Sequence, residues 1–242
     1  MSPTRAGEDP RLPTVPASAI PAVTADQMRE VDRIMVDELH IGLIQMMENA
    51  GRNLAWLALR RFAPRAVTVL AGPGGNGGGG LVAARHLADH AVSVSVVLSA
   101  PERMGEVPRH QLDILERMGI AVSDEPTRSD LVIDALLGYS LRGDPRGRAA
   151  DLIRWSLDQT APVCSLDTPS GLDVTTGEPR TPCTRATATL TLALPKVGLA
   201  KAASYVGDLF LGDISVPPFV YERLGIHVPD DPFADGTIVR LS

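Results

Sequence analysis

Seven glycines crowd nine residues of this chain: Gly72, Gly74, Gly75, Gly77, Gly78, Gly79 and Gly80, interrupted by Pro73 and Asn76. Ala66 to Ala71, just before the run, is a short apolar stretch rich in β-branched residues, and Leu81 to His90, just after it, returns to helical spacing. Strand, glycine turn and helix in that order open a βαβ unit, which Val92 to Ser99 completes. Glycine lets the backbone take positive φ and approach a ligand closely, and the following helix presents free N–H groups at its positive end. The run therefore predicts a ligand cradle, with Asn76 as its one side chain able to both donate and accept. It formally contains GxGxxG at Gly72, Gly74 and Gly77, but the second strand ends Val97-Leu98-Ser99-Ala100, without the acid that binds a ribose. That argues against an ordinary NAD-dependent dehydrogenase. The absence of a Lys-Ser/Thr pair rejects a phosphate-transfer loop.

The rest of the chain alternates in the same way. Thr24 and Gln27 have the spacing of a capping box and start a helix over 25–39, with Met28, Val31 and Met35 at helical intervals. A second helix over 43–62 carries Glu48 and Asn49, which a purely structural helix would not require. Further helices are predicted at 107–118 and 147–158, with a short one through Leu224, and strands at 131–136, 162–166, 187–194 and 209–216. This order implies one α/β domain over 22–228 with a mostly parallel sheet covered on both faces. Residues 1–21, with five prolines, read as a flexible tail, and 229–242 as a C-terminal tail.

The chain has 242 residues, 23 basic and 29 acidic, for a formal charge of −6. With no run of Lys or Arg, this argues against nucleic acid or anionic lipid as a partner. The longest apolar stretches fall far short of a membrane span, and no apolar segment opens the chain, so a cytoplasmic location is expected. Cys164 and Cys183 form no metal motif or disulfide framework and are expected to be reduced. The histidines show no metal spacing beyond His86 and His90, read as a solvated helix face.

Open parallel sheets bind ligands beyond the carboxyl ends of their strands. Three strands here end in polar groups: the glycine run after 71, Asp134 with the GYSLRGD segment after it, and Ser165-Leu166-Asp167-Thr168-Pro169-Ser170-Gly171. Each aspartate alone could be a turn cap, but their convergence with the glycine run points to a single site. Asn76, Asp134 and Ser170 are oxygen donors suited to a hard cation, which leaves Asp167 as the ionisable group nearest the reactive centre. Lys196 is one of only two lysines; it could touch a phosphate or lie on the surface at a strand end.

At these residues the chain resembles the NAD(P)H-hydrate epimerases, the YjeF N-terminal domain family. Four motifs carry the resemblance: Met47-Glu48-Asn49-Ala50-Gly51, the glycine run with Leu81 to Leu87, Asp134-Ala135-Leu136-Leu137-Gly138, and Leu166 to Asp173. The resemblance implies a Rossmann-like three-layer αβα sandwich, a homodimer, and an isomerase that interconverts the R and S epimers of hydrated NADH or NADPH in nicotinamide nucleotide repair. A separate NAD(P)HX dehydratase would act in the same pathway. It implies a potassium ion on Asn76, Asp134 and Ser170. It places the substrate on Gly75, Asn76, Gly77, Gly78 and Gly79, on Gly138, Tyr139, Ser140, Leu141, Arg142, Gly143 and Asp144, and on Asp167, the expected general acid and base. Where the family typically reads GNNGGDG, Gly75 and Gly79 replace the first Asn and the Asp. Each lost charge-assisted bond would weaken binding by about 1.5–3 kcal/mol. The alternative reading is a nucleotide-ligand-binding or scaffold protein on the same fold.

Overall fold

The computed structural model describes residues 12–242. In chain order the elements are β1 (Thr14–Val15), α1 (Ala25–Arg33), α2 (Leu43–Phe62), β2 (Ala66–Ala71), α3 (Gly75–Asp89), β3 (Ser93–Leu98), α4 (Glu106–Arg117), β4 (Ala121–Ser123), β5 (Leu131–Ala135), α5 (Gly147–Leu157), β6 (Val163–Leu166), β7 (Ala188–Leu192), α6 (Ala203–Val206), β8 (Asp208–Gly212), α7 (Pro218–Arg223) and β9 (Ile238–Leu241). The capping box of α1 forms as its spacing predicts, Thr24 Oγ1 accepting from Gln27 N (3.2 Å) and Gln27 Oε1 from Thr24 N (2.9 Å). A π-helical turn, Ile34–Glu38, extends α1.

One nine-stranded sheet runs β1-β9-β8-β7-β6-β5-β2-β3-β4. Every neighbouring pair is parallel except β8 with β9. Strand residues alternate between two buried faces. Val69, Ile133, Cys164, Leu166 and Leu190 share a core with Leu54, Leu57, Leu81, Leu87 and Leu115 of α2, α3 and α4. The other face packs Leu70, Val132 and Val163 against Leu152 and Ile153 of α5, and Leu211 and Val239 against Val31 of α1 and Val220 of α7. This is a three-layer αβα sandwich. The chain leaves β2 toward one face and β5 toward the other, so the crevice between their carboxyl ends is the switch point of the sheet.

Both segments read as tails contribute strands. Thr14 and Val15 pair with Arg240 and Leu241, and β9 pairs with β8. Two and four residues are too short for a periodic signal, and they are held by backbone pairing at the sheet edge. Residues 1–11, the rest of the expected N-terminal tail, lie outside the described residues.

The glycine run is the main departure from the sequence reading. It is not a loop: α3 begins at Gly75, and none of Gly72 to Gly80 takes a positive φ. These glycines give room rather than conformational freedom. A Cβ on Gly80 would lie 2.5 Å from Ala135 Cβ, one on Gly78 2.6 Å from Met47 Sδ, and one on Gly51 of α2 2.5 Å from the Gly79 carbonyl oxygen. Side chains there would push α3 away from α2 and from the sheet. Glu48, half exposed, ties the same seam from outside, accepting from Arg85 and pairing with His86 Nε2 at 2.8 Å. His86 is therefore not simply solvated, and His90 meets Trp56 edge to face at 5.1 Å.

Candidate active site

Asp167 follows β6 directly and takes φ +66°, a left-handed conformation that costs energy for a residue with a side chain. Its N–H donates to Leu190 O (2.7 Å), which fixes the turn and aims the carboxylate across the sheet edge. Lys196, past the end of β7, donates from Nζ to Asp167 Oδ1. The lysine is 1% exposed, and its two other protons go to Leu192 O (2.9 Å) and Thr191 Oγ1 (3.3 Å). The Tyr139 N–H donates to Asp167 Oδ2 (3.2 Å), so both carboxylate oxygens are held. Lys196 thus sits neither on the surface nor free for a phosphate: it is the buried counter-ion of Asp167. Its partner is 29 residues away, which is why the sequence left its role open.

Asp134, at the end of β5, has a different environment. It is fully buried, and its oxygens accept from Ser170 Oγ (2.6 Å), Ser170 N (2.8 Å), Ser165 Oγ (2.9 Å) and, more weakly, Leu136 N (3.4 Å). Burial pushes its pKa up, and these hydrogen bonds offset part of the rise. Ser170 Oγ also accepts from Leu137 N (2.9 Å), tying the segment after β5 to the turn after β6.

A cavity of about 460 Å³ opens at this switch point. Met28, Met46, Met47, Leu136 and Leu166 give it apolar walls, and Asp32, Asn76, Tyr139, Ser140, Asp167 and Lys196 supply its polar groups. Gly74, Gly75 and Asn76 bring the first turn of α3 to its rim. Asn76 Nδ2 is buried without a hydrogen-bond partner. A Cβ on Gly138 would lie 3.4 Å from Asn76 Cγ and 3.5 Å from Asp167 Oδ2, so these three residues meet.

Of the residues singled out from sequence, Gly75, Asn76, Gly138, Tyr139, Ser140 and Asp167 border the cavity. Gly77, Gly78 and Gly79 do not; they lie inside α3 as packing positions, buried against Gly72, Met47 and Leu166. Leu141, Arg142, Gly143 and Asp144 lie outside the lining, and Asp144 Oδ1 accepts from Thr181 N (3.1 Å). Asp134 and Ser170 stand behind the cavity wall. Cys164 and Cys183 are free and buried, and burial pushes each thiol up to about 12.

Asp32 was missed. It lines the cavity from α1 and accepts from the Tyr139 hydroxyl at 2.6 Å. Its one trace in the sequence is position: it follows Met28 by four, so an acid sits on the edge of an apolar helical stripe.

A family model described as "YjeF-related protein N-terminus" matches residues 43–198. The chain belongs to this family. An NAD(P)H-hydrate epimerase of Dehalogenimonas lykanthroporepellens is 45% identical over 240 residues, 96% of this chain and 97% of that one. A bifunctional NAD(P)H-hydrate repair enzyme of Salinibacter ruber is 37% identical over 84% of this chain, which spans 42% of that enzyme. The crystal structure of yeast ynu0 superposes with a TM-score of 0.79 over 92% of this chain at 23% identity, which supports the fold. No helix among the described residues is long and apolar enough to cross a membrane.

Proposed function

We propose that this protein is an NAD(P)H-hydrate epimerase, an isomerase of nicotinamide nucleotide repair. The observation that carries the reading is the buried Asp167–Lys196 pair facing an apolar cavity at the switch point of the sheet, together with the epimerase relative of matching length. In the substrate a hydroxyl sits on the carbon beside the ring nitrogen. The nitrogen lone pair expels the hydroxyl when a proton is delivered to it, leaving an iminium, and water returns on the other face after losing a proton. Asp167 delivers or accepts that proton. Lys196 holds the carboxylate in place, and the apolar walls exclude bulk water. The N–H groups at the start of α3 face the diphosphate.

The donor set fits a monovalent cation. Asp134 is a buried carboxylate with no basic side chain among its hydrogen-bond partners, Ser170 adds a hydroxyl oxygen, and Asn76 offers its amide oxygen. In this reading Asn76, Asp134 and Ser170 hold a potassium ion, which neutralises Asp134 and stiffens the segment between 134 and 140. Space also exists at Gly75, where a Cβ would meet only Met47 Cε at 3.9 Å, so the missing Asn is a lost contact rather than a blocked site. We read the protein as a cytoplasmic homodimer, with the dehydratase of the same repair on a separate chain. Light scattering of the purified protein tests the dimer.

Chiral separation of the two epimers after incubation with the protein tests the activity. Equilibration should outpace the buffer control, and no acceleration at any potassium level would sink the reading. Asp167→Asn should slow it by roughly 10²–10⁴-fold without unfolding the protein.

A further inference from the structure

Epimerisation through a planar iminium needs a proton carrier on each face. One face must protonate the departing hydroxyl while the other accepts the proton of incoming water. Asp167 is pinned at both oxygens, by Lys196 Nζ and by the Tyr139 N–H, so it cannot swing across the ring. Lys196 cannot substitute, since its three protons are committed to Asp167, Thr191 and Leu192. Among the described residues lining the cavity, the remaining ionisable groups are Asp32 and Tyr139. They form one unit, with the Tyr139 hydroxyl donating to Asp32 Oδ2 at 2.6 Å. The tyrosine side chain separates the two carboxylates: its backbone N–H touches one and its hydroxyl the other. Two carboxyl groups with separate partners at one cavity can act as separate proton carriers, as the two carboxyls of an inverting glycosidase do.

We infer that Asp32, with Tyr139 as its hydrogen-bonding partner, is the second acid–base residue of this site and serves the ring face that Asp167 does not. Starting from one epimer, Asp167 in its acid form gives its proton to the hydroxyl, which leaves as water. A new water then adds from the other side and gives its proton to Asp32. The reverse epimerisation exchanges the two roles, and no oxidant or further reactant is needed. Burial raises the Asp32 pKa above the usual carboxylate value, the direction that favours holding a proton. The assignment rests on the epimerase reading above.

The test follows inversion and oxygen exchange together, by incubating each pure epimer in ¹⁸O-water and measuring configuration and label at the hydrated carbon. The wild-type protein should label and invert both epimers at comparable rates. Asp32→Asn keeps the shape and can still accept from Tyr139, yet cannot take a proton. Its inversion should fall about 100-fold or more, with KM changed less than threefold. One epimer, the one whose hydroxyl faces Asp167, should continue to exchange label with retained configuration, while the other should do neither. Tyr139→Phe should give the same separation of exchange from inversion in milder form, about tenfold, and stands in if Asp32→Asn does not fold. Inversion unchanged in Asp32→Asn, or inversion and exchange falling together for both epimers, would overturn the assignment while leaving the epimerase reading intact. A wild-type protein that accelerates neither process would remove both.

Discussion

Asp134 and Asp167 end neighbouring strands, both are buried, and in the sequence they look alike. Their surroundings differ in kind. Asp134 is met by hydroxyl and amide donors with no basic side chain among them, and it lies behind the cavity wall, where it joins the segment after β5 to the turn after β6. Asp167 has a lysine counter-ion and borders the cavity. The neutral donors around Asp134 make it a tie between backbone segments, whereas Asp167, held by one lysine and one N–H, borders the cavity where a ligand can reach it. The pair shows that the carboxyl end of a strand supplies an aspartate's position but not its task.

The largest test breaks the ion pair. Lys196→Met leaves Asp167 buried without its cation and should cost about 3–5 kcal/mol of stability. Adding Asp167→Asn to that variant should recover most of the loss in a denaturant titration without restoring epimerisation. If the double variant is no more stable than Lys196→Met alone, the stabilising role assigned to the pair is wrong. The next test strikes the other aspartate. Asp134→Ala orphans the Ser170 N–H and should cost about 3 kcal/mol, a fall in Tm of roughly 6–12 °C; no mutation at Lys196 should compensate for it. Recovery by Lys196→Met would show that the two sites share a charge network.

The smallest effect comes from an acid outside both networks. Burial lifts the Glu48 carboxyl, but hydrogen bonds from Arg85 and His86 outweigh that and hold it below its usual value. A folded pKa below the unfolded one means the contribution is present above about pH 4.3 and fades as pH falls through the folded value. Because Glu48 is half exposed, Glu48→Gln should cost under about 1 kcal/mol at pH 7 and progressively less as the pH is lowered through the folded value. A difference that persists in acid would place its origin in packing rather than charge.

The long elements were legible because apolar periodicity and caps are local signals. Leu43–Phe62 and Ala66–Ala71 match their predicted ranges, and the order of strands and helices gave the parallel sheet. The misses share one cause, dependence on distant partners. β1, β4 and β9 are two to four residues long and sit at or near the sheet edges, where pairing rather than composition makes a strand. Lys196 and Asp32 acquire meaning only through Asp167 and Tyr139, far away in the chain. The glycine run stands out in the sequence by residue type alone, but its reason lies in distant elements: the glycines give room for their neighbours rather than torsional freedom.

That run bears on the order in which the protein assembles. Five glycines in the first two turns of α3 lower its intrinsic helix stability by roughly 5 kcal/mol relative to alanine. The segment has no reason to coil before α2 and the strand ends are there to receive it. The rim of the cavity that carries Gly75 and Asn76 is therefore a late-forming part of the molecule, and its amide protons should exchange with solvent sooner than those of Leu81 to Leu87 in the same helix. A ligand gripping those first N–H groups would slow that opening, so occupancy of the site can be read from the exchange rate of one helical turn.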